Sequence, residues 1–324
     1  MHPCLSILRR SAGRVARSSP PGDSPAFFLL LATAACWGFV APAPARATAA
    51  EFGGAARLDF FATSDLFPGG EVREADTGLH LGLVPEVQFR AGRHVRVKPW
   101  AEIELERYHD YPARDLARFG FGVDIRRSNV RLRLFHGSSN DELYFPDPAG
   151  DAIVDRQQSG AEIRFEATPG VRLHAGLERE TNAFDNLHPD RDDRRWTTRL
   201  GVERGEARRI RTALTWFYRD TQSVTNLYSY GQNVLRLDAE GALVDRLHGA
   251  LRLEAGLRSY RTGEIFASNF SRQDSRWRVF TTLAHPVVGP LRAEISAQWR
   301  QTDSTRDSKK SVVRGFGFGL VAQR

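Results

Sequence analysis

Cysteine is nearly absent from this chain. The 324 residues hold two, Cys4 and Cys36, and both precede residue 47. A chain trimmed beyond that point forms no disulfide and no thiolate metal site, so crosslinks do not stabilise it. Long apolar runs are missing as well. The longest, Ala26 to Val40, spans about 15 residues, and a membrane helix needs about 20. A mean hydropathy of -0.41 excludes a bundle of membrane helices. The 41% hydrophobic content excludes a disordered chain. No Gly-rich phosphate loop follows a strand and opens a helix, and no G-x-S-x-G elbow occurs. The histidines after residue 47 (80, 94, 109, 136, 174, 188, 248 and 285) lack close metal-ligand spacing. No metal and no cofactor is expected. Lysine is scarce beside arginine, so surface cations have the forked geometry that suits phosphate.

The N-terminus has the order of a secretory signal. Arg9, Arg10, Arg14 and Arg17 stand against Asp23, the apolar run follows, and then come small residues with two A-x-A sites, Ala45-Arg-Ala47 and Ala47-Thr-Ala49. An N-terminal membrane anchor is the bland alternative. A lipoprotein reading of Cys36 fits worse, since Thr33 stands where Leu is usual. We expect residues 1–47 to be a cleaved signal peptide and 48–324 the mature domain. The formal charge of +7 then loses five of its 46 bases and one of its 39 acids. Forty-one bases face 38 acids, a net of +3. The basic character lies largely in the leader, and nucleic acid is not an expected partner.

From Ala55 onward, apolar and polar residues alternate with period two. In 291–300, Leu291, Ala293, Ile295, Ala297 and Trp299 share one face; Arg292, Glu294, Ser296, Gln298 and Arg300 share the other. A helix would scatter these charges around its surface, so strands are the consistent reading. About 14 such segments are visible: 54–63, 77–90, 94–107, 117–127, 129–136, 158–167, 170–180, 194–204, 208–220, 232–240, 247–258, 275–285, 290–302 and 311–322. Most are longer than the usual strand of about 5–6 residues and near the 9–11 of a membrane strand. Connections alternate in length too. Long polar ones at 64–76, 108–116, 137–157, 181–193, 221–231, 259–274 and 303–310 are separated by short turns. The loop 137–157 is the longest and the expected constriction. Tyr108, Trp196, Trp216, Tyr218, Trp277 and Trp299 fall at the long-loop ends, where an aromatic girdle would sit.

The chain resembles, at the level of a class, a bacterial outer-membrane β-barrel. A weaker similarity links the last 50 residues to the C-terminal barrels of surface-protein modifiers and exopolysaccharide exporters, through Arg272-Gln-Asp274, Trp277 and a Gly-rich final strand. No counterpart of those relatives' helical-repeat domain is expected in these residues, and the final strand reads Leu320-Val-Ala-Gln-Arg324 without the usual terminal aromatic. Pro85 and Pro99 inside strands are a further departure. The resemblance implies an all-β, transmembrane, antiparallel up-and-down barrel with short periplasmic turns and longer extracellular loops. It implies outer-membrane lipid, lipopolysaccharide and the barrel-assembly machinery as partners; oligomeric state stays open.

In such a barrel the polar face lines the lumen. We expect Glu102, Glu104, Glu106, Arg131, Arg133, Glu162, Arg164, Glu166, Arg172, Glu178, Arg252, Glu254, Arg292 and Glu294 there. Mixed signs fit a weakly selective polar pore or a salt-bridge network that merely shapes the interior. Three functions remain: a pore or export channel, a non-conducting barrel whose loops bind a partner, and a rim-site hydrolase using His109-Asp110. A lipase would need Ser and His together on the lipid face, and His174 and His248 fall on the polar one. Asp141, Asp147, Asp151 and Asp155 offer oxygens for a hard cation but lack calcium-loop spacing. A solvated acidic loop is expected there. A non-enzymatic barrel is the leading expectation.

Overall fold

The computed structural model describes residues 50–63, 75–110, 114–145, 152–185, 191–205, 210–225, 228–244, 246–261, 272–305 and 310–323. Residues 1–47, expected to be a signal peptide, lie outside them.

Fourteen antiparallel strands run in chain order: β1 (Glu51–Thr63), β2 (Asp76–Ala91), β3 (Val95–Tyr108), β4 (Leu116–Arg127), β5 (Val130–Phe145), β6 (Ala152–Thr168), β7 (Val171–Phe184), β8 (Asp193–Arg204), β9 (Arg211–Ser223), β10 (Tyr230–Val244), β11 (Leu247–Tyr260), β12 (Gln273–Val288), β13 (Leu291–Ser304) and β14 (Ser311–Gln323). Each pairs with its sequence neighbours, and β1 pairs with β14, closing the barrel. Closure leaves no open edge, which is what a β-structure in lipid requires. The even strand number puts the start of β1 and the end of β14 beside the short turns. Those turns need left-handed backbone, and Gly92 (φ 74°) and Gly170 (φ 78°) supply it.

The hydrophobic residues are outside. Phe60, Phe119, Phe121, Ile295, Phe316 and Phe318 are all more than half exposed or close to it, on the outward parity of their strands. A water-soluble protein rarely shows so continuous an apolar wall, whereas lipid requires one. The expected transmembrane barrel of about 14 strands is therefore the observed fold.

Two details differ from the sequence reading. Residues 137–157 are not a long loop: β5 runs to Phe145 and β6 starts at Ala152, and they pair as far as Phe145↔Ala152 through two irregularities. Above the apolar band both faces meet water, so period-two alternation stops although the strands continue. The expected constriction loop shrinks to the residues between 145 and 152, which lie outside the described ones. The two prolines find a common explanation. The β2–β3 ladder skips pairs beside Pro85 and again beside Pro99, so both missing N–H donors weaken one seam.

Candidate functional site: the charged lumen

Parity through the closed register fixes the inner face. On β3 it carries Lys98, Trp100, Glu102, Glu104, Glu106 and Tyr108, and on β6 it carries Glu162, Arg164 and Glu166. The charges are not loose. Arg131 Nη2 donates to Asp124 at 2.5 Å, and Arg133 lies 3.7 Å from the same carboxylate. Arg118 reaches Glu104 at 3.7 Å. Arg172 binds Glu203 at 2.6 Å, Arg236 binds Glu254 at 2.7 Å, and Arg252 binds Asp238 at 2.6 Å. Arg57 bridges to Glu294 at 3.3 Å. Arg199 on β8 is central: its two terminal nitrogens donate to Glu162 on β6 at 3.1 Å and to Glu178 on β7 at 2.8 Å, while Arg164 also donates to Glu162. Wetted pairs of this kind contribute about 1 kcal/mol or less each. Their larger effect is geometric: long side chains are held against the wall instead of wandering across the channel.

Glycines decide where the bulky side chains lie. A Cβ on Gly176 would sit 2.8 Å from Cγ of Arg199, so the arginine stem lies flat over the glycine. Gly122 makes the same room for the Trp100 indole, whose Cζ2 would be 2.5 Å from such a carbon. The final-strand glycines 315, 317 and 319 also face inward. A Cβ at Gly315 would meet Gln298 of β13, and one at Gly319 would meet Asp59 of β1. The Gly-rich strand thus seats side chains from both neighbours at the closing seam.

Within this wall is a cavity of about 560 Å³, bounded by Glu102, Glu104, Glu162, Glu178 and Glu180 among the acids and Arg118, Arg133, Arg156, Arg199, Arg219 and Arg236 among the bases. Inward-facing aromatics line it too, among them Trp100, Phe135 and Phe217. Arg133 stacks over Trp100 at 4.5 Å and Arg236 over Phe217 at 4.5 Å. The sequence reading missed these aromatics, as well as Arg199, Arg219, Arg236 and Glu180. Their signal was parity: Trp100 shares its face with Glu102, and Phe217 with Arg219.

The register places the expected lumen set, Glu102, Glu104, Glu106, Arg131, Arg133, Glu162, Arg164, Glu166, Arg172, Glu178, Arg252, Glu254, Arg292 and Glu294, on the inward parity. Glu102, Glu104, Arg133, Glu162 and Glu178 meet at the cavity. Arg172, Arg252 and Arg292 lie toward the short turns. Of the six expected girdle residues, Trp196, Trp216, Tyr218, Trp277 and Trp299 face outward. Tyr108 does not. It donates to Glu106 at 3.1 Å and packs edge-on against Phe61 at 5.3 Å, inside the rim. Height along the strand suggested a girdle position, but its parity is that of Glu106.

At the outer rim, Asp274 is fully buried. It accepts from Arg272 at 2.9 and 2.8 Å and from Ser304 Oγ at 2.7 Å, and Arg272 lies 4.3 Å over the Tyr260 ring. The Arg-x-Asp start of β12 is thus a latch joining β11, β12 and β13. His109 and Asp110 stand 3.9 Å apart and mostly exposed, while Asp76 accepts from the Asp110 backbone N–H at 3.1 Å and Asp115 from that of Tyr108 at 2.9 Å. No group of three or more candidate metal ligands occurs among the described residues. Of the acidic loop, Asp147 and Asp151 lie outside those residues, as does the side chain of Asp141.

No family model and no curated relative matches the chain. Solved barrels do. The outer membrane channel DcaP of Acinetobacter baumannii matches with a TM-score of 0.50 at 10% identity, over 88% of this chain and 100% of that one. An outer-membrane expressed OmpT of Vibrio cholerae matches at 0.46 and 10% identity, over 88% and 100%. OmpF of Salmonella typhi matches at 0.46 and 10%, over 85% and 97%. The shared feature is the fold, an outer-membrane-type β-barrel.

Proposed function

We propose that this outer-membrane-type barrel is a weakly selective pore for small hydrophilic solutes. On this reading residues 1–47 are removed on export, and the mature barrel, folded by the assembly machinery, sits in the outer membrane with its long loops outward. The observation that supports it is the cavity of about 560 Å³, most of whose acids and bases are held in ion pairs along the wall. A largely pinned, mixed-sign lining of six arginines and five glutamates leaves a wet path without strong charge selection. The likeness to a solved channel agrees with it. On this reading the role is non-enzymatic, and the His109–Asp110 pair is a mostly exposed pair at the rim.

A second reading, a closed barrel whose loops hold a partner, draws on the same density of side chains. Arg199 ties three strands together, and about 14 strands fall between filled and open barrels. Single-channel recording on the refolded 48–324 chain separates the two. Steady discrete conductance steps are expected. A protein that is heat-modifiable and rich in β-structure yet electrically silent overturns the pore and leaves the loops as the functional surface.

A further inference from the structure

The inference concerns the outside of the barrel and rests on the reading that lipid surrounds it. Across β4 to β7 one outward row is apolar: Val123, Leu134, Ala161 and Leu177 stand in direct register, with Thr198 following on β8. One step toward the long loops, the facing residues are Phe121, His136, Ser159, Arg179 and Trp196, again in direct register. Another step out come Phe119, Ser138, Gln157, Thr181 and Arg194. The wall changes from hydrocarbon to polar within two residues, which marks the edge of the acyl region. On β8, β9, β12 and β13 that edge carries Trp or Tyr. On β5, β6 and β7 the aromatic edge is replaced by His136, Ser159 and Arg179.

We propose that this gap holds the phosphate of an anionic lipid headgroup of the outer leaflet. His136 Nδ1 and Ser159 Oγ lie 2.8 Å apart, so hydroxyl and imidazole already point at each other on neighbouring strands. Arg179 is directly opposite Ser159, and its guanidinium lies 5.8 Å from the Trp196 ring centre. Three adjacent strands thus present a fork of N–H donors, a hydroxyl and a ring nitrogen over roughly two strand spacings of about 4.8 Å each. Arginine keeps its charge at the lipid boundary and matches phosphate with paired donors. The outward charges near this edge are Arg179 and Arg194, Asp155 four residues further out than Ser159 on β6, and Asp220 of β9, which stands opposite Trp196 and is bound by Arg261. Below the row, Leu177, Ile163 and Leu173 are each nearly half exposed and give the lipid's own acyl chain a surface to lie on. That apolar track is why the occupant is a lipid and not free phosphate. Phe121, 5.3 Å from His136, and Trp196 close the two sides.

Native mass spectrometry of the detergent-solubilised full mature barrel, with bisphosphorylated lipid A as probe, tests this. A retained lipid adduct is expected. Arg179→Gln should lower the bound fraction at least about fivefold, and His136→Ala with Ser159→Ala about two- to threefold. Arg204→Gln, outward but at the short-turn end, should leave it unchanged. Heat-modifiability on gels checks that each variant is folded. The proposal is overturned if folded Arg179→Gln binds lipid A like the parent, if a phosphate-free lipid of equal chain length binds equally, or if millimolar inorganic phosphate displaces the lipid. Release of free fatty acid would also overturn it, by making His136–Ser159 a reactive pair. A chain that leaves envelopes without detergent would instead sink the membrane reading itself.

Discussion

Removing Arg199 tests the lumen argument most directly. Its guanidinium is the shared cation for Glu162 and Glu178. Arg199→Ala deletes one positive charge from a cavity of about 560 Å³. One uncompensated charge in that volume equals about 3 M of counter-ion. In about 1 M KCl, Donnan balance makes one unit of fixed charge worth about a tenfold change in the local cation-to-anion ratio. In about 3 M KCl the same arithmetic gives a change of about threefold, because bath salt competes with the fixed charge. The variant's selectivity should therefore shift toward cations relative to the parent, strongly at low salt and weakly at high salt. Its reversal potential in a KCl gradient reads this directly. Conductance should rise as well, since a long side chain leaves the wall. Arg199→Lys keeps the charge and loses the fork, so its selectivity should move less than about twofold. An Arg199→Ala channel with the parental reversal potential, or one shifted toward anions, would refute the claim that this pair network sets the local field.

Other outcomes follow from the same geometry. Ile295→Arg should destabilise the barrel by about 2–4 kcal/mol and Ser296→Arg by far less, because the first points to lipid and the second to water; denaturant refolding into vesicles measures both. Gly122→Val should fail to fold or lose stability by more than about 2 kcal/mol, since its side chain would collide with Trp100 and the Leu134 carbonyl, and pairing it with Trp100→Ala should recover only the part due to the indole. Asp274→Ala should cost about 2–3 kcal/mol, as Arg272 and Ser304 lose a buried acceptor; a lower temperature for the gel-mobility shift would register it, with Asp274→Asn intermediate. Trp100→Ala should widen the cavity and raise conductance without changing selectivity, because it removes bulk and no charge; an unaltered conductance would place the narrowest point elsewhere.

The sequence by itself determined where the strands fall and their alternation, but not the full extent of β5 and β6, where 137–157 read as one long loop. Period-two patterning is a local property, and the contrast of lipid with water writes it into each strand. Parity even carried the inner position of Tyr108 and Trp100, for both are even-numbered like Glu102 and Glu106. It lost its meaning in β5 and β6 above Ser139, where both faces are wet and no pattern is enforced. Only the tertiary structure decided what stands beside what. Arg199 meets Glu162 and Glu178 because three strands pair in one register. His136, Ser159 and Arg179 form a row for the same reason, although 43 residues separate the first from the last. Cross-strand register comes from closing fourteen strands into one barrel, and no single segment contains it.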